Sequence, residues 1–207
     1  MARLPVLASL VLALPLAAHA EPAIMTVGTH SMFMKDDPVY TGSRKFSFNV
    51  RSKFADPDHR VMVPPPGSDG DPTPTGSTGG GGVLVVYNSA GTGEQFTVPL
   101  PVEKWQWYGD DTDVRYVFAS TPPVSKVYVK GHKVSIRGGK NSWGYTLDEP
   151  AQGRIAVRLT LGTSITWCSD AEPGTSGDPP SAAAYDRAGK FQARRLQVAP
   201  DACPPLP

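Results

Sequence analysis

The chain has 207 residues, of which 40% are apolar and 9% aromatic, enough to bury a core, while only 19% are charged. Gly (21) and Pro (22) together make about a fifth of it, which argues against a helical bundle because both residues break helices. Twenty basic against nineteen acidic residues leave a formal net charge of +1, which excludes electrostatic capture of nucleic acid as the main activity.

Residues 1–20 read as an export signal. Arg3 forms a short positive region, residues 6–16 are an apolar run, and Ala18-His19-Ala20 is a small-x-small cleavage pattern. The run is too short to span a bilayer, and no later segment is long and apolar enough to do so. The expectation is a secreted or periplasmic protein starting at Glu21, without a transmembrane segment.

Residues 45–53 alternate, with Phe46, Phe48 and Val50 on one face, and predict a strand. Residues 64–82 (PPPGSDGDPTPTGSTGGGG) lack apolar anchors and predict a flexible loop. Strands follow at 83–87 and 95–100. Residues 104–108 and 114–118 look paired across the turn 109–113. In that turn Asp110, Asp111 and Asp113 offer closely spaced carboxylates of the kind that hold calcium. The alternative is that aspartate simply suits a turn by bonding its own backbone.

Val127 and Val129 alternate in one parity, Val134 and Ile136 in the other. A two-residue turn at Gly131-His132 sets 129 opposite 134 and 127 opposite 136, so all four share a face. Glycine at the first turn position predicts type II′. Residues 143–147 read as a strand before the Asp148-Glu149-Pro150 break. Residues 154–161 are the clearest half-buried strand, and Ile165 and Trp167 resume the alternation after a turn. Residues 181–188, with Ser181 as N-cap, predict one short helix. The two cysteines of an exported chain, Cys168 and Cys203, predict a disulfide that ties down the C-terminal tail. The fold expected is all-β, a mainly antiparallel β-sandwich or open barrel of about nine or ten strands. It forms a single domain over 21–207.

No nucleophile elbow, zinc-protease, P-loop or dinucleotide pattern occurs, and the histidines after residue 20 (His30, His59 and His132) are scattered. Asp148 and Glu149 are adjacent. On a strand, neighbours point to opposite faces, so the pair alone does not make a glycosidase dyad. The aromatics are more suggestive. Trp105, Trp107, Trp143 and Tyr145 either fill the core or offer flat rings for stacking on sugars.

Several stretches together resemble a group of exported proteobacterial proteins with no assigned activity. They are 59–73 (HRVMVPPPGSDGDPT), 86–94 (VYNSAGTGE), 143–149 (WGYTLDE), 153–162 (GRIAVRLTLG), Trp167-Cys168 and the Cys203-Pro-Pro ending. The resemblance covers most of the chain after residue 20. It implies a freestanding secreted unit and carries no ligand, cofactor or site residue.

The leading expectation is therefore a non-catalytic secreted domain that binds or organises something at the cell envelope, a glycan or an envelope protein. No cofactor is expected apart from calcium at 109–113. The rival is a secreted polysaccharide hydrolase using Asp148 or Glu149 with one of Asp110, Asp111 and Asp113. A third reading is a structural or adhesive subunit whose edge strands pair with partners.

Overall fold

The structure, a computed structural model, describes residues 23–52, 57–110 and 112–207. Residues 1–20, for which an export signal is predicted, and Asp111 lie outside the described residues.

Thirteen strands follow one another among the described residues: β1 (Ala23–Thr26), β2 (Thr29–Lys35), β3 (Lys45–Arg51), β4 (Gly82–Asn88), β5 (Gln95–Leu100), β6 (Trp105–Tyr108), β7 (Arg115–Ala119), β8 (Val124–Lys130), β9 (Lys133–Gly139), β10 (Ile155–Leu161), β11 (Ile165–Ala171), β12 (Asp186–Arg187) and β13 (Lys190–Gln192). They form two open sheets, and no α-helix occurs among the described residues. The five-stranded sheet has the order β1-β11-β10-β4-β5, antiparallel except for the β1/β11 pair. The eight-stranded sheet has the order β12-β13-β2-β3-β9-β8-β7-β6 and is antiparallel throughout.

The two inner faces meet in one core, so this is a β-sandwich. Period-two alternation sends Leu84, Val86, Val157 and Leu159 inward from one sheet. Met32, Phe48, Val127 and Ile136 come from the other. The β8/β9 register is the one the parity of the valines requires, with Val129 opposite Val134 and Val127 opposite Ile136. Its turn is not type II′, because the positive φ falls on His132 (62°) and not on Gly131.

Part of the outer face of the smaller sheet is covered by the C-terminal tail. Arg158 and Cys168 are cross-strand partners there. Cys168 is bonded to Cys203 across a Cα–Cα distance of 5.8 Å. The Pro204 carbonyl accepts hydrogen bonds from Tyr87 Oη (2.7 Å) and Arg158 Nη2 (2.5 Å). The tail therefore covers the part of that face that would otherwise expose Tyr87 and Cys168.

Three local expectations need correction. Residues 143–147 form no strand. Trp143, Tyr145 and Leu147 do alternate inward, but their backbone joins no ladder, and the side chains plug one end of the core. Residues 181–188 are not helical. The Asp186 carboxylate is drawn away by the backbone N–H groups of Gln152 (2.7 Å) and Gly153 (2.8 Å), and a two-turn helix cannot outweigh that on its own propensity. Residues 64–82 are not an untethered loop. The buried Asp71 carboxylate accepts four hydrogen bonds: from Thr73 N (2.8 Å), Thr73 Oγ1 (2.7 Å), Gly67 N (2.7 Å) and Thr75 Oγ1 (2.9 Å). The Tyr116 hydroxyl donates to the Pro64 carbonyl, and Thr163 N to that of Asp69, fastening the segment to both sheets.

Candidate functional site

Strand β6 is a free edge of the larger sheet. Its alternation separates the two tryptophans by depth. Trp105 lies opposite Phe118, its indole 5.3 Å from that ring, and its Nε1 donates to the Leu100 carbonyl (3.2 Å). Trp107 points to the same side one step further out, past the rim of the core, and is 38% exposed. Tyr108 emerges on the opposite side and is 43% exposed. The Arg115 guanidinium stacks 5.4 Å from the Tyr108 ring, and the Tyr108 hydroxyl donates to Gln106 Oε1 (2.5 Å).

The pinned 64–82 segment supplies a second wall. Thr73, Pro74 and Thr75 face Gln106, Trp107 and Tyr108 across a shallow groove of about 350 Å³. The Asp71 network holds this wall in place. Sequence reasoning missed the wall because a Pro/Gly/Thr-rich stretch looks the same whether pinned or loose. One buried aspartate decides between them.

The other predicted aromatics are elsewhere. Trp143 is stacked on Phe46 (centroids 4.5 Å) and edge-on to Phe96 (5.1 Å). Tyr145 donates its hydroxyl to Gln152 Oε1 (2.9 Å), and burial drives its pKa well above the usual phenol range. Trp105, Trp143 and Tyr145 are each no more than 2% exposed and offer no face to a ligand. The expected four-residue platform is thus corrected to one exposed indole with a neighbouring phenol. The cause is the energy of burying large aromatics in a sandwich interior.

In the acidic turn the described carboxylates, Asp110 and Asp113, make bonds of their own. Asp110 Oδ1 accepts from Thr112 Oγ1 (2.7 Å), Thr112 N (2.9 Å) and Asp113 N (3.1 Å). These bonds, the Thr112 hydroxyl foremost, hold its carboxyl below the usual range. Asp113 pairs with Lys130 Nζ (2.9 Å).

A different set of carboxylates does converge. Oxygens of Glu94, Asp148 and Glu149 lie within 4.8 Å of one another. Asp148 and Glu149 can turn to the same place because they lie in an irregular segment, not on a strand. Glu94 Oε1 accepts from Thr146 N (2.5 Å) and Oγ1 (2.7 Å), while its Oε2 is buried without a partner. Burial first, and then the charges of Glu149 and Asp148, raise the Glu94 pKa. Glu149 is tied to Gln152 Nε2 (2.5 Å) and Asp148 to Thr146 Oγ1 (3.1 Å). Nothing local in the sequence marks Glu94, which arrives from the turn after β4.

No family model, curated protein or solved structure matches the chain. Among the described residues no helix is long and apolar enough to cross a membrane.

Proposed function

We propose that this protein is a non-catalytic extracytoplasmic β-sandwich that binds a glycan along the free edge of β6. One observation carries the reading: Trp107 and Tyr108 stand exposed beside a groove whose facing wall is held by the Asp71 network. An exposed indole presents a flat apolar face for a sugar ring. Gln106 beside it can hydrogen-bond sugar hydroxyls. The signal-like residues 1–20 and the Cys168–Cys203 disulfide support an oxidising compartment outside the cytoplasm. Calorimetric titration with soluble glycans and peptidoglycan fragments tests the reading. A glycan should bind saturably, and Trp107→Ala should weaken it at least about fivefold, the effect of losing roughly 1 kcal/mol. Binding unchanged in Trp107→Ala would refute the site.

The rival hydrolase reading keeps one specific support, the raised pKa of Glu94 beside Asp148 and Glu149. A carboxyl whose protonated form is favoured by burial and neighbouring carboxylates is the kind of group that can serve as a general acid. Release of reducing sugar from a polysaccharide, abolished by Glu94→Gln, would favour it over binding alone.

A further inference from the structure

A second concavity, of about 340 Å³, lies where β2 begins and the C-terminal tail turns away. His30, Arg51, Ser52 and His59 form one side, and Leu196 and Val198 form the other. Its lining carries one arginine and two histidines and no carboxylate. Arg51 and nearby Arg195 make no ion pair among the described residues.

His30 Nδ1 is buried and has no hydrogen-bond partner. Burial, with the positive charges of Arg51 and Arg195, lowers the His30 pKa, so the ring is neutral at pH 7 with one N–H to donate. His59 is fixed by a 2.8 Å hydrogen bond between its Nδ1 and Thr26 Oγ1.

The rim has the opposite character. Leu196 is 74% exposed and Val198 87%. Leu196 also sits at φ 57°, a conformation unfavourable for an L side chain. Neighbouring bonds hold it there. Leu196 N donates to the His30 carbonyl (3.2 Å) and Gln197 N to that of Thr29 (2.9 Å). The Gln197 side chain accepts from Glu172 N (2.8 Å) and donates to the carbonyls of Glu172 (2.9 Å) and Arg194 (2.8 Å). The strained backbone thus keeps two large aliphatic side chains in water beside a cationic hollow.

A cation has no carboxylate to meet in this cavity. A transition metal would find two imidazoles, one of them already bonded, and no third ligating side chain in the lining. An anion meets the Arg51 guanidinium, which has no ion pair among the described residues, and the imidazole of His30, and an attached hydrocarbon meets Leu196 and Val198. The hollow, about 340 Å³, has room for a short carboxylate together with its hydrocarbon chain.

We propose that this cavity binds a small amphiphilic carboxylate, its head group on Arg51 and the His30 ring and its hydrocarbon against Leu196 and Val198. The site is separate from the β6 groove and does not depend on it.

Calorimetric titration of the secreted protein with octanoate tests this, with octanol as the uncharged probe and inorganic phosphate as the chainless one. Octanoate should bind at a single site, and octanol and phosphate each at least about tenfold more weakly. Arg51→Gln, a change at an exposed position, should weaken octanoate at least about tenfold, the usual cost of losing a charge-assisted contact of roughly 1.4 kcal/mol or more. Leu196→Asn, which tolerates positive φ, should weaken it several-fold, and Trp107→Ala should not change it. Failure of octanoate to saturate by about 5 mM, or equal binding by Arg51→Gln with an unaltered melting temperature, would overturn the proposal. Phosphate binding as tightly as octanoate would overturn its apolar half.

Discussion

Replacing Glu94 with glutamine should make the protein more stable at neutral pH. The Glu94 carboxylate has oxygens of Asp148 and Glu149 within 4.8 Å. In a water-like dielectric each such pair repels by about 0.9 kcal/mol or more, and screening at about 0.15 M salt roughly halves that. Neutralising Glu94 removes two of the three repulsions, about 1 kcal/mol in all. Glutamine keeps an oxygen for Thr146 N and Oγ1. It also gives the unpartnered position of Oε2 two N–H donors facing carboxylates. Because the Glu94 pKa is raised by folding, its protonated form stabilises the native state. That contribution is present below the unfolded pKa and lost as pH rises through the folded one. Urea unfolding of both proteins from about pH 4 to pH 8 should therefore show no difference at the acid end and a gain of about 1 kcal/mol for Glu94→Gln at the neutral end. A variant less stable than the parent at neutral pH, or a difference independent of pH, would refute the electrostatic account of this cluster.

Three further outcomes follow from the packing. Cys203→Ser removes a bond with a sequence separation of 35 and should cost about 4 kcal/mol on the chain-entropy model, read as a lower urea midpoint. Trp143→Ala empties the space between Phe46 and Phe96 and should cost about 3–5 kcal/mol, while Trp107→Ala should stay within about 0.5 kcal/mol in the same denaturation assay. Asp71→Ala leaves four donors without their acceptor and should make residues 64–82 cleavable by a protease that spares the parent, at a stability cost of about 3 kcal/mol or more.

Much of the fold was legible because alternation and turn parity are local. The β8/β9 register followed from which valines had to share a face, and the β6/β7 and β10/β11 pairs from runs either side of a turn. Strand β2 was hidden because a bulge between Thr29 and Ser31 shifts the parity, separating buried Thr29 from buried Met32 and Met34. Residues 143–147 showed the same alternation as a strand, since sequence records which side chains are buried and not which backbone groups are paired. The candidate site was less legible for a related reason. Trp105 and Trp107 have the same parity, and only the depth of the core under each decides which is available. Glu94, Asp148 and Glu149 meet through long-range packing, as do His30, Arg51 and Leu196, and no spacing along the chain encodes either meeting.

Tryptophan fluorescence gives the most direct test of glycan binding at β6, because Trp105, Trp143 and Trp167 are buried and Trp107 alone of the four indoles is exposed. Acrylamide should quench only the Trp107 fraction of the emission, and a bound glycan should protect that fraction in a saturable way that Trp107→Ala abolishes. Acrylamide quenching unchanged by every glycan and peptidoglycan fragment tried would contradict the account.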